Sequence, residues 1–201
     1  MEATVNKKTS SKEYELTNEM DFMTGLTLYR IRALKDFGDV KKGDLGGFIE
    51  KESNLSHKGN CWVYDKARVF QNAKVSGNAK VKSYFVDVCG NAKIYDNASV
   101  SGHAHISDDA VICDDAQIGG NAKISGAAHI GGHSQVCDDA VICGATVSGY
   151  SCIHSDASLS SDDDIYDAAV PEFGSDDDYY RHEYYDDYEY DCNSEDANQA
   201  A

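Results

Sequence analysis

The residues with the clearest chemistry are acids and tyrosines crowded at one end of the chain. From Asp162 to Ala201 there are fifteen Asp or Glu and one basic residue, Arg181, a net charge of −14. The other 161 residues carry 20 acids against 17 bases. Seven of the thirteen tyrosines fall in the same stretch, within runs such as Ser-Asp-Asp-Asp-Ile-Tyr at 161–166 and Ser-Asp-Asp-Asp-Tyr-Tyr at 175–180. Such acidity argues against a core of its own. Closely spaced carboxylates imitate the charge density of a nucleic-acid backbone, and interleaved tyrosines supply stacking and hydrogen-bonding faces. The residues expected to bind a partner are Asp162, Asp163, Asp164, Tyr166, Asp176, Asp177, Asp178, Tyr179, Tyr180, Glu183, Tyr184, Tyr185, Asp186, Asp187, Tyr188, Glu189, Tyr190 and Asp191. The expected partner is a basic nucleic-acid-binding protein. Nucleic acid itself is not expected to bind, because the whole chain carries −17 and repels it.

A second set of reactive residues is scattered. His103, His105, His129, His133 and His154 are candidate general bases. His105 and His129 take tolerant outward positions and His103 and His133 replace turn residues, so all are expected in solvent with no catalytic role. The pairs Asp108-Asp109, Asp114-Asp115 and Asp138-Asp139 could offer oxygen ligands to a metal. They fall at different corners of the repeat, which predicts turn-forming aspartates instead. Seven cysteines, odd in number and without a CxxC pair, lack zinc-ligand spacing and argue for reduced thiols. No metal and no cofactor are expected. Lys66, Arg68, Lys74, Lys80, Lys82 and Lys93 make one half of the repeat region basic.

The element that must position these residues is a six-residue phrase repeated seventeen times from Cys61 to Leu159: a small residue, an arbitrary one, an aliphatic, then a turn. Ala92/Ile94, Ala98/Val100, Ala104/Ile106, Ala110/Ile112 and Ala116/Ile118 are typical pairs. Residues at i and i+2 point to one face of a strand, so both members face inward while the residue between them faces out. Gly90-Asn91, Gly102-His103 and Gly120-Asn121 supply the turns. Three such hexads close one coil, and residues 18 apart stack. A fixed short period of this kind predicts an all-β chain, a single-stranded left-handed parallel β-helix. One residue is gained around Tyr84–Val88 and one lost between Ile142 and Ala145, and each slip must be absorbed at a corner.

The expected organisation is a flexible arm at 1–25, a β cap at 26–60, the solenoid at 61–161 and the acidic tail at 162–201. An open solenoid end exposes core and strand edges, so a cap is expected there. Trp62 is placed on the outer side of the first coil, over the cap junction. No apolar run approaches membrane-spanning length and Met1–Thr24 has no apolar signal region, so a cytoplasmic protein without membrane contact is expected.

The hexads resemble those of hexapeptide-repeat left-handed β-helix proteins. The segments Tyr29–Ala33, Gly38–Glu50, Asn54–Ser56 and Gly59–Asp65 are similar to phage and prophage solenoid proteins loosely labelled transferases or polymer-forming proteins. That resemblance covers residues 28 to about 160 and places the partner in a host cytoplasm, as a restriction or CRISPR defence protein. The expectation is a non-enzymatic inhibitor carrying an acidic DNA-mimic tail on a rigid solenoid. One alternative is a CoA-dependent acyltransferase, which the resemblance ties to a trimer, a loop excursion and a catalytic His. The other is a structural scaffold with a solubilising tail. Self-association is left open.

Overall fold

The computed structural model describes residues 12–23 and 25–166. It is a three-sided β-solenoid of parallel strands, with seven coils on two of its faces and six on the third. At about 4.8 Å per coil the stack is roughly 34 Å tall. Most coil strands are two residues long, such as Lys93–Ile94 and Gln117–Ile118, because only the outward residue and the inward aliphatic lie between corners. Register follows the predicted stacking: Val100 pairs with Ile118, which pairs with Val136. The inward pairs from Cys61/Val63 to Ala145/Val147 form one continuous buried core. Among the described residues there is no α-helix, and hence no helix long enough to cross a membrane.

Both slips sit at corners. Arg68 pairs with Asp87 across 19 residues and Asp87 with His105 across 18, so the extra residue lies in the corner holding Ser83, Tyr84 and Phe85. The lost residue lies at Gly144, where His129 pairs with Thr146. The corners need left-handed backbone. Asp108, Asp114 and Asp138 adopt φ of 57°, 55° and 56°, and glycines take the same place elsewhere. At Gly120 (φ +59°) a Cβ would come within 2.3 Å of the Asp138 backbone nitrogen, so the next coil also forbids a side chain.

The first coil begins inside the stretch expected as a cap. The strands β1 (Tyr14–Met23) and β2 (Leu26–Ala33) form an antiparallel hairpin, and β2 pairs antiparallel with β3 (Leu45–Ile49). β3 then runs parallel to Arg68–Val69, and β4 (Leu55–Gly59) parallel to Lys74–Gly77. Trp62 is buried rather than outward, because Tyr14 and Phe37 pack edge-on against it with centroids 6.2 and 5.5 Å away. Gly46 permits that closeness, since a Cβ there would meet Trp62 Cζ2 at 2.7 Å. The Asp39 carboxylate ties cap to coil, accepting from Tyr64 Oη at 2.8 Å and pairing with Lys80 Nζ at 2.9 Å. At the other end, the strand Ile165–Tyr166 pairs with Thr146–Ser148, carrying the coils five residues past Ser161.

Candidate functional site

Each face presents one column of outward side chains. On the β3 face the column runs Arg68, Asp87, His105, Lys123, Val141 and Ser158. On the face beginning at Trp62 it runs Lys80, Ser99, Gln117, Gln135 and Cys152. The β4 face carries Lys74, Lys93, Val111, His129 and Thr146. That last face holds a compact polar cluster.

The cluster forms where Tyr95, Cys113 and Gly131, each 18 residues apart, follow the inward aliphatics of three successive coils. Cys113 is buried at 4% exposure, with its Sγ 3.7 Å from His129 Nε2 and 3.6 Å from Asp114 Oδ2. Gly131 leaves the room, since a Cβ there would stand 2.9 Å from Asp114 Oδ2 and 3.3 Å from Cys113 Sγ. Asp114 is fixed by the backbone N–H of Gly132, which donates to Oδ2 at 2.9 Å. Burial raises the Cys113 thiol, and the nearby Asp114 carboxylate adds to the shift. A hydrogen bond to that thiol, with partial burial, raises the Tyr95 phenol in turn. The thiol therefore stays protonated at neutral pH and serves as a hydrogen-bonding partner for the half-buried His129.

The other histidines sit differently. His105 is exposed, between Asp87 and Lys123 in its column. His103 lies edge-on to the exposed Phe85 with centroids 4.7 Å apart. His133 Nδ1 is 3.7 Å from Asp115 Oδ2, and its ring stacks on Tyr150. His154 Nδ1 is 3.0 Å from Ser155 Oγ. His129 thus departs from the expectation of a purely solvated ring. Sequence reasoning also passed over Cys113 and Tyr95, although the shared 18-residue phase of 95, 113 and 131 was a visible signal.

The paired aspartates are structural on both members. Asp108, Asp114 and Asp138 accept from the backbone N–H of Gly126, Gly132 and Ser155 one coil on, at 3.0, 2.9 and 2.9 Å. Asp109, Asp115 and Asp139 accept from the amides of Asn91, Asn97 and Asn121, each at 2.9 Å. Among the described cysteines, Cys61 is buried at an inward position, and Cys113 and Cys137 are buried because the corner after the aliphatic is also shielded.

Of the residues expected to bind a partner, four are described. Asp162 is exposed, and Asp163 Oδ2 accepts from the Ser160 N–H at 2.8 Å. Asp164 Oδ1 accepts from the Thr146 N–H at 2.7 Å, and Tyr166 is largely exposed beside it. These residues close the last coil. Asp176 through Asp191 lie outside the described residues.

No protein-family profile matches the chain. Over 55 residues it is 46% identical to a protein of Escherichia coli (strain K12) named "Uncharacterized acetyltransferase YdcK". The match takes in 27% of this chain and 17% of that protein, so the chain spans about a sixth of the relative it matches. The hexapeptide-repeat β-helix and a relative bearing a transferase name together point to an enzymatic group. The expectation of a chain without enzymatic activity is corrected on this finding. That expectation places all five candidate histidines in solvent, and the half-buried His129 does not fit it.

Proposed function

We propose that the solenoid is an acyl-transfer body of the hexapeptide-repeat kind, with His129 as its general base. The observation that carries this is the half-buried imidazole held against the Cys113 thiol, beside a glycine recess at 131. In this reading His129 Nε2–H donates to Cys113 Sγ, and the thiol donates to Asp114 Oδ2. That chain fixes the tautomer and leaves Nδ1 as the acceptor nitrogen. An amine or hydroxyl acceptor gives its proton to Nδ1 as it attacks the carbonyl of an acyl thioester. The new C–N or C–O bond forms, the C–S bond breaks, and the proton passes to the departing thiolate. Cys113 orients the base and, being buried and protonated, is not the nucleophile. The named relative favours acetyl as the transferred group.

The test is thiol release from acetyl-CoA by the full chain, with panels of amine and sugar-hydroxyl acceptors. Replacing His129 by Ala should lower kcat/KM by about 10²–10⁴-fold, the usual weight of a positioned base. His105→Ala should match the parent. Absence of turnover with every acceptor, or full activity in H129A, removes the reading.

A second reading concerns the acidic tail and is compatible with an enzymatic body. Its net −14 and seven tyrosines support a segment that docks on a basic nucleic-acid-binding protein. Comparing the full chain with a chain ending at Tyr166 against such a protein, with duplex DNA as competitor, tests it. Equal binding by both chains ends it.

A further inference from the structure

The β4 face carries a second feature, separate from the His129 cluster. A shallow groove of about 420 Å³ is lined by Lys51, Ser53, Asn72, Lys74, Asn91 and Lys93. Lys74 and Lys93 stand on directly paired rungs of neighbouring parallel strands, and Lys51 lies to one side on the turn leading into β4. Like charges on facing rungs repel and destabilise a sheet. Elsewhere on the first coils the basic rungs carry built-in acids: Arg68 binds Asp87 at 2.6 Å, and Lys80 binds Asp39 at 2.9 Å. Among the described residues, Lys51, Lys74 and Lys93 form no ion pair, and no carboxylate lines the groove. The nearby acids are already engaged, and Asp109, bound to the groove-lining Asn91, ends the amide row at its lower edge. Glu52 pairs with Lys12, and Glu50 accepts from the Gln71 N–H.

The remaining lining groups also suit an anion. Lys51 Nζ donates to Asn72 Oδ1 at 3.4 Å, and Asn72 Nδ2 to Asn91 Oδ1 at 3.2 Å, so the floor is a row of ordered amides. The Ser53 hydroxyl adds a donor at the upper rim. The column ends sharply, since the rung below Lys93 is Val111. Lys74 and Lys93 stand one coil, about 4.8 Å, apart, and Lys51 flanks them from the corner before β4 rather than extending their column. So compact a group of three ammoniums fits two or three linked phosphates and is too short for a polymer backbone.

We propose that this groove is an oligophosphate site, taking the diphosphate or triphosphate group of a small molecule. The anion supplies the counter-charge that the fold leaves out, bridging Lys51, Lys74 and Lys93 through charge-assisted hydrogen bonds. The proposal does not rest on acyl transfer, and its test uses no acyl donor. Calorimetric titration of the full chain with inorganic tripolyphosphate, ADP and orthophosphate at low salt gives the direct measurement. Tripolyphosphate and ADP should bind, orthophosphate at least tenfold more weakly. The double variant K74A/K93A should lose at least tenfold for both, with its circular-dichroism melt unchanged. Lys123→Ala, on another face, should bind as the parent does. Absence of tripolyphosphate binding, or equal binding in K74A/K93A, overturns the site. A twenty-nucleotide single strand binding more tightly than tripolyphosphate and lost in the same variant also overturns it, in favour of a polymer surface.

Discussion

Ile118 is the most direct place to test the register on which every site assignment depends. Its side chain is 1% exposed in the middle of the stack, between Val100 and Val136, while Gln117 beside it faces out. Replacing Ile118 by Asp forfeits about 1.5–3 kcal/mol of apolar burial. It also places a carboxyl where the surrounding inward pairs offer no side-chain partner, costing a further 1–3 kcal/mol or more. The sum, roughly 3–6 kcal/mol, is a large share of a typical domain stability of about 5–15 kcal/mol. At about 2–4 °C per kcal/mol the melting temperature should fall by about 6–24 °C, or the chain should fail to fold. Ile118→Val, expected to cost about 0.5–1.5 kcal/mol, keeps the series measurable if the first variant aggregates. Burial raises the introduced carboxyl above its unfolded value near 3.9. The folded state then binds more protons than the unfolded one, so I118D should regain stability as pH falls from 7 toward 4. Thermal melts followed by circular dichroism at both pH values are the assay, with Gln117→Asp as the outward control. Equal melts for the two aspartate variants would refute the inward assignment and the whole register with it.

Gly120→Ala should destabilise by more than the roughly 1–2 kcal/mol of left-handed strain, because its Cβ meets the next coil's backbone at 2.3 Å; melts of purified protein read this directly. Gly25→Ala, at φ +79° with nothing within 4 Å, should cost only the strain, so equal losses would contradict the close stacking of corners. Asp39→Asn should cost about 1 kcal/mol at pH 7 by weakening the bonds from Tyr64 and Lys80. Partial burial acts to raise that carboxylate, but those bonds outweigh it and hold it below the usual range. Its stabilisation is therefore present above the unfolded value and lost as pH falls through the folded one, so parent and variant should converge in acid denaturation. Among the described cysteines, iodoacetamide labelling followed by mass spectrometry should modify the exposed Cys143 and Cys152 first. Cys61 should be last, because burial pushes its thiol up to about 11.

The alternation of Ala, any residue and Ile at a six-residue period determined the solenoid by itself. Only an all-inward pair separated by turns can bury those aliphatics, and the one-residue slips at Tyr84 and Gly144 had to fall at corners. The turn role of Asp108, Asp114 and Asp138 was legible for the same reason, since left-handed corners favour Gly, Asn and Asp. Contacts between coils were not legible, because they join residues 16 to 19 apart whose side chains must be placed before they can meet. Cys113 looked like one thiol among seven and His129 like one solvated ring among five. Stacking put them 3.7 Å apart and left Gly131 as the recess between them. Trp62 takes the outward position of its hexad, yet β1 and the loop around Phe37 fold over that face and bury it. The basic residues Lys74 and Arg68 are likewise alike in sequence. The tertiary structure alone decided that Arg68 faces Asp87 while Lys74 faces Lys93, a paired charge in one column and an unmet one in the other.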